Sequence, residues 1–201
     1  MILATPLIEA DSNFHLMPEI ETARLRPRMF VPSDLDDLAR LLMSPEVMRY
    51  IGVEAGKTLT LEETEEHLQN FIEGWRRRRF GRWAVVEKKT NRFIGLCGLK
   101  LLEEEVELIY LLHEAYWGRG LASEAARASL RYGFEELELE RIVAVTRPEN
   151  ISSQRVMERI GLRRAGDVRS YGVDAVCYVI ERKDYEPGDA LYALRRSGAE
   201  S

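Results

Sequence analysis

From residue 20 onward, two periods alternate along the chain. In some stretches every second residue is apolar; in others apolar residues recur three or four apart. These are the repeats of strands and helices. Residues 1–19 show neither and read as an irregular N-terminal arm. Ile20 to Met29 sets Leu25 and its neighbours against Arg24, Arg26 and Arg28, which predicts a strand with one buried face. Ser33-Asp34 opens a helix whose apolar positions are Leu35, Leu38, Leu41 and Leu42. Pro45 starts a short turn through Tyr50, and Gly52 and Gly56 mark a loop. Thr60 caps a second helix with Glu62 and Glu63 in its first turn, and His67, Leu68, Phe71, Ile72 and Trp75 share one face of it.

Three strands follow closely: Arg82–Lys88, Arg92–Leu101 and Val106–Leu112. Their links, Thr90-Asn91 and Glu103–Glu105, are short enough to require an antiparallel meander. After Trp117-Gly118-Arg119-Gly120 comes a helix, Leu121 to Phe134, rich in small residues. A strand (Ile142–Thr146) and a helix (Ile151–Ile160) succeed it, and Gly161 stands where a helix stops. Leu162–Val168 and Ala175–Glu181 are the last strands. The order β-α-α-β-β-β-α-β-α-β-β predicts a single α+β domain over residues 20–185, with a tail at 186–201.

Composition narrows the class. At roughly 150 residues per domain, 201 residues make about one domain, with room for a full core. Cys97 and Cys177 lie in apolar runs and read as core residues of a reducing compartment. His15, His67 and His113 have no ligand spacing, so no metal site is expected. No apolar run reaches the ~20 residues of a membrane span, and the N-terminus lacks a basic signal region; the reading is cytoplasmic and soluble. With 29 basic and 34 acidic residues the net charge is −5, which argues against nucleic-acid binding. Arg76–Arg79 reads as a solvated helix C-terminus, with an anion contact as the sharper alternative, and Glu103–Glu105 as a hairpin loop.

Two stretches carry chemistry. In Tyr110–Glu124, YLLHEAYWGRGLASE, a strand ends, a glycine loop follows and a helix begins. Gly118 and Gly120 let backbone amides approach a ligand, and the helix N-terminus adds unpaired N–H groups, an arrangement suited to a phosphate or pyrophosphate. A tight turn with no ligand remains the alternative. A dinucleotide fingerprint fits poorly: Ser123 replaces its third glycine, the following strand runs into Arg147 rather than an acid, and a meander precedes the loop. The second stretch, RPENISSQRVMERIGL, places Asn150 and Ser153 at a helix start. Asn150 can be a plain N-cap. Adjacent parallel strands would also set the two helix starts side by side.

These motifs together resemble the Gcn5-related N-acetyltransferase (GNAT) superfamily: a strand, then YWGRGLASEA, another strand, then PEN-x-x-S with Gly161-Leu162 beyond. IETARLR and PEVMRY add a likeness to its ribosomal-protein N-acetyltransferase branch. The resemblance spans roughly Ile20 to Tyr185. It implies one GNAT-type domain, a mixed and mostly antiparallel sheet of about seven strands with four helices. It further implies acetyl-CoA as co-substrate, held at the pyrophosphate by Gly118, Arg119, Gly120, Leu121, Ala122 and Ser123. Main-chain groups of Tyr110 and Leu112 would pair with the pantetheine arm, and Asn150 would hydrogen-bond it. Trp117 departs from the superfamily's usual Gln or Arg.

Relatives often carry a tyrosine seven residues after the asparagine to protonate the thiolate; here Met157 stands there, and Ser153 is the nearest hydroxyl. A glutamate used by others as general base is replaced by Val145, which leaves Glu107 as the best candidate and His113 as runner-up. The implied activity is direct acetyl transfer to a primary amine. An α-amine, with a pKa of ~7.7–8.0, is roughly a tenth neutral at pH 7, while lysine at ~10.4 is under a thousandth neutral. A missing strong base therefore leans toward a protein N-terminus, ribosomal or other, as acceptor. A small-molecule amine, and a non-catalytic acetyl-CoA sensor, are the alternatives. A homodimer is compatible with the resemblance.

Overall fold

The structure is a computed structural model that describes residues 16–198. Its strands are β1 (Leu16–Glu21), β2 (Leu25–Arg28), β3 (Arg82–Glu87), β4 (Arg92–Leu102), β5 (Glu105–Leu112), β6 (Arg141–Thr146), β7 (Arg163–Ser170), β8 (Val173–Glu181) and β9 (Ala193–Gly198). The helices are α1 (Leu35–Leu42), α2 (Pro45–Met48), α3 (Leu61–Arg78), α4 (Leu121–Arg131) and α5 (Ile151–Arg159). One sheet holds all of these strands in the order β7-β8-β6-β5-β4-β3-β2-β1-β9. Among the described residues no helix is long and apolar enough to cross a membrane.

Local chemistry fixes the boundaries. The Thr60 hydroxyl accepts from the Glu63 N–H at 3.2 Å, and the Glu63 carboxylate accepts from the Thr60 N–H at 2.7 Å, a reciprocal box that starts α3. Arg79 ends it in the left-handed region at φ 61°. Strands β3 and β4 are buried on both faces, which is why their apolar residues run on instead of alternating. Trp83 and Val85 enter one core with Trp75, Tyr132 and the small residues of α4. Ala84 enters the other with Phe30, Phe71, Phe93 and Leu96, under α1 and α3.

The α+β class and the central meander match the sequence reading; the sheet margin does not. The stretch expected as one strand is two, reversed at Thr22, whose N–H donates to the Leu25 carbonyl at 3.0 Å. The arm expected over 1–19 is a strand from Leu16, while 1–15 lie outside the described residues. The tail expected from 186 supplies β9, which pairs antiparallel with β1 from Leu16↔Gly198 to Glu21↔Ala193. Sheet membership thus rises from about seven strands to nine, and the helices from four to five with the single-turn α2. The helix expected to reach Phe134 is α-helical only to Arg131, then widens into a π-turn over Tyr132–Glu136.

The site depends on β5 and β6. They are the parallel neighbours in an otherwise antiparallel sheet, and their register is a single pair, Glu107↔Val143. The α4 crossover joins them, as parallel neighbours require. Beyond Glu107 the two strands part.

Candidate active site

A groove of about 800 Å³ opens where β5 and β6 separate. The His113 N–H donates to the Ile94 carbonyl at 2.9 Å, continuing the ladder between β4 and β5. Alternation along the strand then turns the main-chain groups of Tyr110 and Leu112 away from β4, toward the opening. The Leu112 carbonyl already accepts from the Trp117 indole at 2.7 Å. Its N–H stays available.

The glycine loop forms one end of the groove. Gly118 and Gly120 sit at φ 71° and 75°, the left-handed region where glycine is favoured. Gly120 is the N-cap of α4, and the first intrahelical bond runs from the Glu124 N–H to its carbonyl at 3.1 Å. The N–H groups of Leu121, Ala122 and Ser123 precede that bond and have no helical acceptor. Arg24 braces the loop from outside. Its guanidinium donates to the Glu124 carboxylate at 2.6 Å and to the Arg119 carbonyl at 2.8 Å. Hydrogen bonds from Thr22 and Arg24 pull the Glu124 carboxyl below the usual range, against the opposing effect of burial.

Ser123 tests whether the loop fits an anionic ligand. Its hydroxyl is buried, lines the groove, and has no hydrogen-bond partner among the described residues. A buried hydroxyl without a partner calls for one. An oxygen-rich group seated on the α4 N-terminus would supply it, so the residues fit the pyrophosphate of acetyl-CoA.

Asn150 caps α5, its side-chain oxygen accepting from the Ser153 N–H at 3.2 Å. The plain capping reading is therefore present, and it leaves the amide NH₂ free to donate. The Ser153 hydroxyl lies 2.9 Å from the Tyr110 hydroxyl, which also donates to the Ser153 carbonyl at 3.0 Å. Burial pushes the Tyr110 phenol well above its ordinary pKa, so it is a neutral donor. Tyr110 thus bridges β5 to α5 across the gap between β5 and β6.

The opposite end of the groove is built of side chains. Glu107 is 4% exposed. Its Oε2 accepts from Lys100 at 3.0 Å and from the Tyr171 hydroxyl at 2.5 Å. Burial, and then the Glu107 contact, raises the Tyr171 phenol; burial, with a smaller push from Arg82, lowers Lys100 against the pull of Glu107. Lys100 also lies over the Tyr171 ring, 4.4 Å from its centroid. Tyr171 reaches this position from the tip of the β7–β8 turn at φ 51°, an unusual conformation for a non-glycine residue. Arg82 stacks on Phe71 at 4.4 Å. His67 lies beside it, its pKa depressed first by burial and then by Arg82. Arg147 donates to the carbonyls of Gly52 and Val53, at 2.9 and 2.8 Å, and ties that loop to the groove.

Glu107 and Ser153, the two expected catalytic residues, line one groove. So do all the expected cofactor residues except Arg119, whose side chain turns outward to Glu87 at 2.8 Å and leaves only its backbone in the loop. His113 packs edge-on against Phe93 and is not part of the groove wall. Met157 is buried core. The sequence reading passed over Arg82, Lys100 and Tyr171. A charge inside the apolar runs RWAVVE and GLCGLKLL was the signal available for two of them. Among the described residues no three His, Cys, Asp or Glu side chains group as a metal site would require.

Known proteins share this arrangement. The acetyltransferase (GNAT) domain family matches residues 24–163, which include the glycine loop and Asn150. The N-acetyltransferase p20 of Bacillus licheniformis, itself uncharacterized, is 28% identical over 180 residues, 84% of this chain and 99% of its own. YdaF of Bacillus subtilis, a proposed ribosomal N-acetyltransferase, is 27% identical over 79% of this chain and 92% of its own. A GNAT-family acetyltransferase from Bacillus anthracis superimposes with a TM-score of 0.71 at 31% identity, covering 82% of this chain and 99% of that one. The match spans most of the domain and the residues that shape the groove: the chain belongs to the GNAT acetyltransferase family.

Proposed function

We propose that this acetyltransferase moves the acetyl group of acetyl-CoA directly to a protein N-terminal α-amine. The observation that carries the choice of acceptor is the state of Glu107. It is the carboxylate on the acceptor wall, and Lys100 and Tyr171 already occupy its Oε2. Val145, at the position where the family resemblance implies a glutamate base in some members, is apolar. With one oxygen of Glu107 occupied and no second base at Val145, proton removal has little help here, which suits an α-amine that is partly neutral at pH 7 better than lysine. The name of the relative YdaF points the same way.

In this reading the loop amides and Ser123 hold the pyrophosphate, and Asn150 and the Tyr110 and Leu112 main chain orient the pantetheine. Leu112 N–H meets the charge that develops on the thioester oxygen. The amine nitrogen bonds to the acetyl carbon as the carbon–sulfur bond breaks. Glu107 Oε1 receives the proton the nitrogen loses and releases it to solvent, and Ser153, linked to Tyr110, gives its proton to the sulfur as it takes one from solvent water, so that both groups return to their starting states.

Thiol release measured across N-terminal peptides, a lysine side-chain peptide and polyamines tests the acceptor class, with the α-amine peptides expected to lead. Ser153→Ala should lower kcat about tenfold with little change in KM for acetyl-CoA, since the hydroxyl acts as charge develops. Wild-type turnover with a preference for lysine or polyamines would refute the acceptor assignment. Acetyl-CoA binding with no turnover on any amine would favour a sensor.

A further inference from the structure

The charge pattern around Glu107 is unbalanced. Lys100 answers its carboxylate, but Arg82 stands on the same wall with no carboxylate of its own. It makes no side-chain hydrogen bond or ion pair among the described residues, whereas Arg28 on β2, paired with Ala84 two residues further along β3, holds Asp34 through two bonds of 2.7 and 2.8 Å. Burial lowers the pKa of Arg82, while Glu107 and Tyr171 oppose that effect from a distance. A partly buried guanidinium with no anion of its own leaves its donors open to a ligand, and its planar fork matches a carboxylate. Phe71 fixes its plane from behind. The groove as a whole is cationic: Arg49, Arg82, Lys100, Arg147, Arg155 and Arg159 face it against Glu46 and Glu107, in a chain of net charge −5.

We infer that Arg82 is a specificity-determining residue, and that the acceptor carries a carboxylate beside its reacting amine. This rests on the acyl-transfer reading above and narrows it. For a protein N-terminus the carboxylate is an Asp or Glu side chain in the first two positions. For a free acceptor it is that of an amino acid. In both cases the amine faces Glu107 while the carboxylate meets Arg82. The same charges disfavour a polyamine.

The test compares kcat/KM for acetyl transfer to peptides that begin with Glu or Asp and to their Gln or Asn counterparts. Free glutamate and aspartate form a second arm, with their amides as controls. Wild type should prefer the acidic member of a pair by tenfold or more, and the arm that responds identifies the source. Arg82→Gln should bring that ratio near one, and Arg82→Lys should restore part of it. Acetyl-CoA affinity by calorimetry reports that each variant is folded. Calorimetry of the acidic peptide on CoA-loaded protein should show the same preference without turnover. Transfer with equal rates on acidic and neutral acceptors, or a preference that survives in Arg82→Gln, would overturn the inference and leave the acyl-transfer reading standing. No transfer on any arm would remove both.

Discussion

The two ends of the groove are made of different material. The end proposed for the cofactor is mostly backbone: loop amides, a helix N-terminus, and strand edges exposed where β5 and β6 part. The end proposed for the acceptor is almost all side chain, with Lys100, Glu107, Arg82 and Tyr171 drawn from four elements and His67 and Phe71 from a fifth. Backbone recognition needs glycines and caps at fixed local spacing. Side-chain recognition needs only that distant strands be brought together, and each strand can be revised separately. A site of the first kind is tied to one ligand shape by its local spacing, and one of the second kind can be altered a strand at a time.

The comparison breaks most sharply at Gly120. Its left-handed φ of 75° is one that Asp tolerates better than most residues, and an added Cβ would meet only Arg24 Nη2 at 3.6 Å. Gly120→Asp should therefore fold, place a like charge in the phosphate cradle, and weaken acetyl-CoA binding by about a hundredfold or more, roughly 3 kcal/mol. Calorimetry measures this directly; wild-type affinity would show that the cradle is elsewhere.

At the other end, Lys100→Met removes one partner of an ion pair whose side chains are only 17% and 5% exposed. Glu107 keeps its Tyr171 hydrogen bond but loses its counter-charge, which should cost about 3 kcal/mol, or roughly 6–12 °C in Tm. Acetyl-CoA affinity should stay within about twofold of wild type. A comparable loss of cofactor binding would mean that the two ends are coupled and not separately built.

The smallest effect sharpens the contrast through pH. The folded pKa of His67 is depressed, so below the unfolded value of 6.5 the unfolded chain binds more protons than the folded one. The stabilising contribution is complete above that value and fades as pH falls toward the depressed folded pKa. His113 behaves likewise, also through burial. His67→Gln should therefore flatten, without abolishing, the decline of Tm from pH 7 to pH 5, by less than about 2 °C. An unchanged slope would show that His67 titrates normally.

The same division explains what could be read in advance. Gly118, Gly120, Asn150 and the Thr60 cap each act within a few residues of themselves, so sequence exposed them. Arg82 and Lys100 showed only as charges in apolar strands, because neither strand records what the other places beside it. Tyr171 gave no signal, since its role depends on which way the β7–β8 turn leans. Strands β1 and β9 escaped for a related reason. Pro18 in β1 and the arginines of the edge strand β9 blur the alternation that marks inner strands.

That β1–β9 pair has a consequence in time. Leu16 opposes Gly198, so the contact closes almost the whole described chain into one loop. Closure entropy grows only with the logarithm of loop length, and the cost is bearable once the rest has condensed. Until then it has little to offset it. The margin should be the last part of the sheet to assemble and the first to open, a separate cooperative unit beside the central meander. Four strands lie between β9 and β5. The chain can thus fray and reclose at that margin while the groove stays formed.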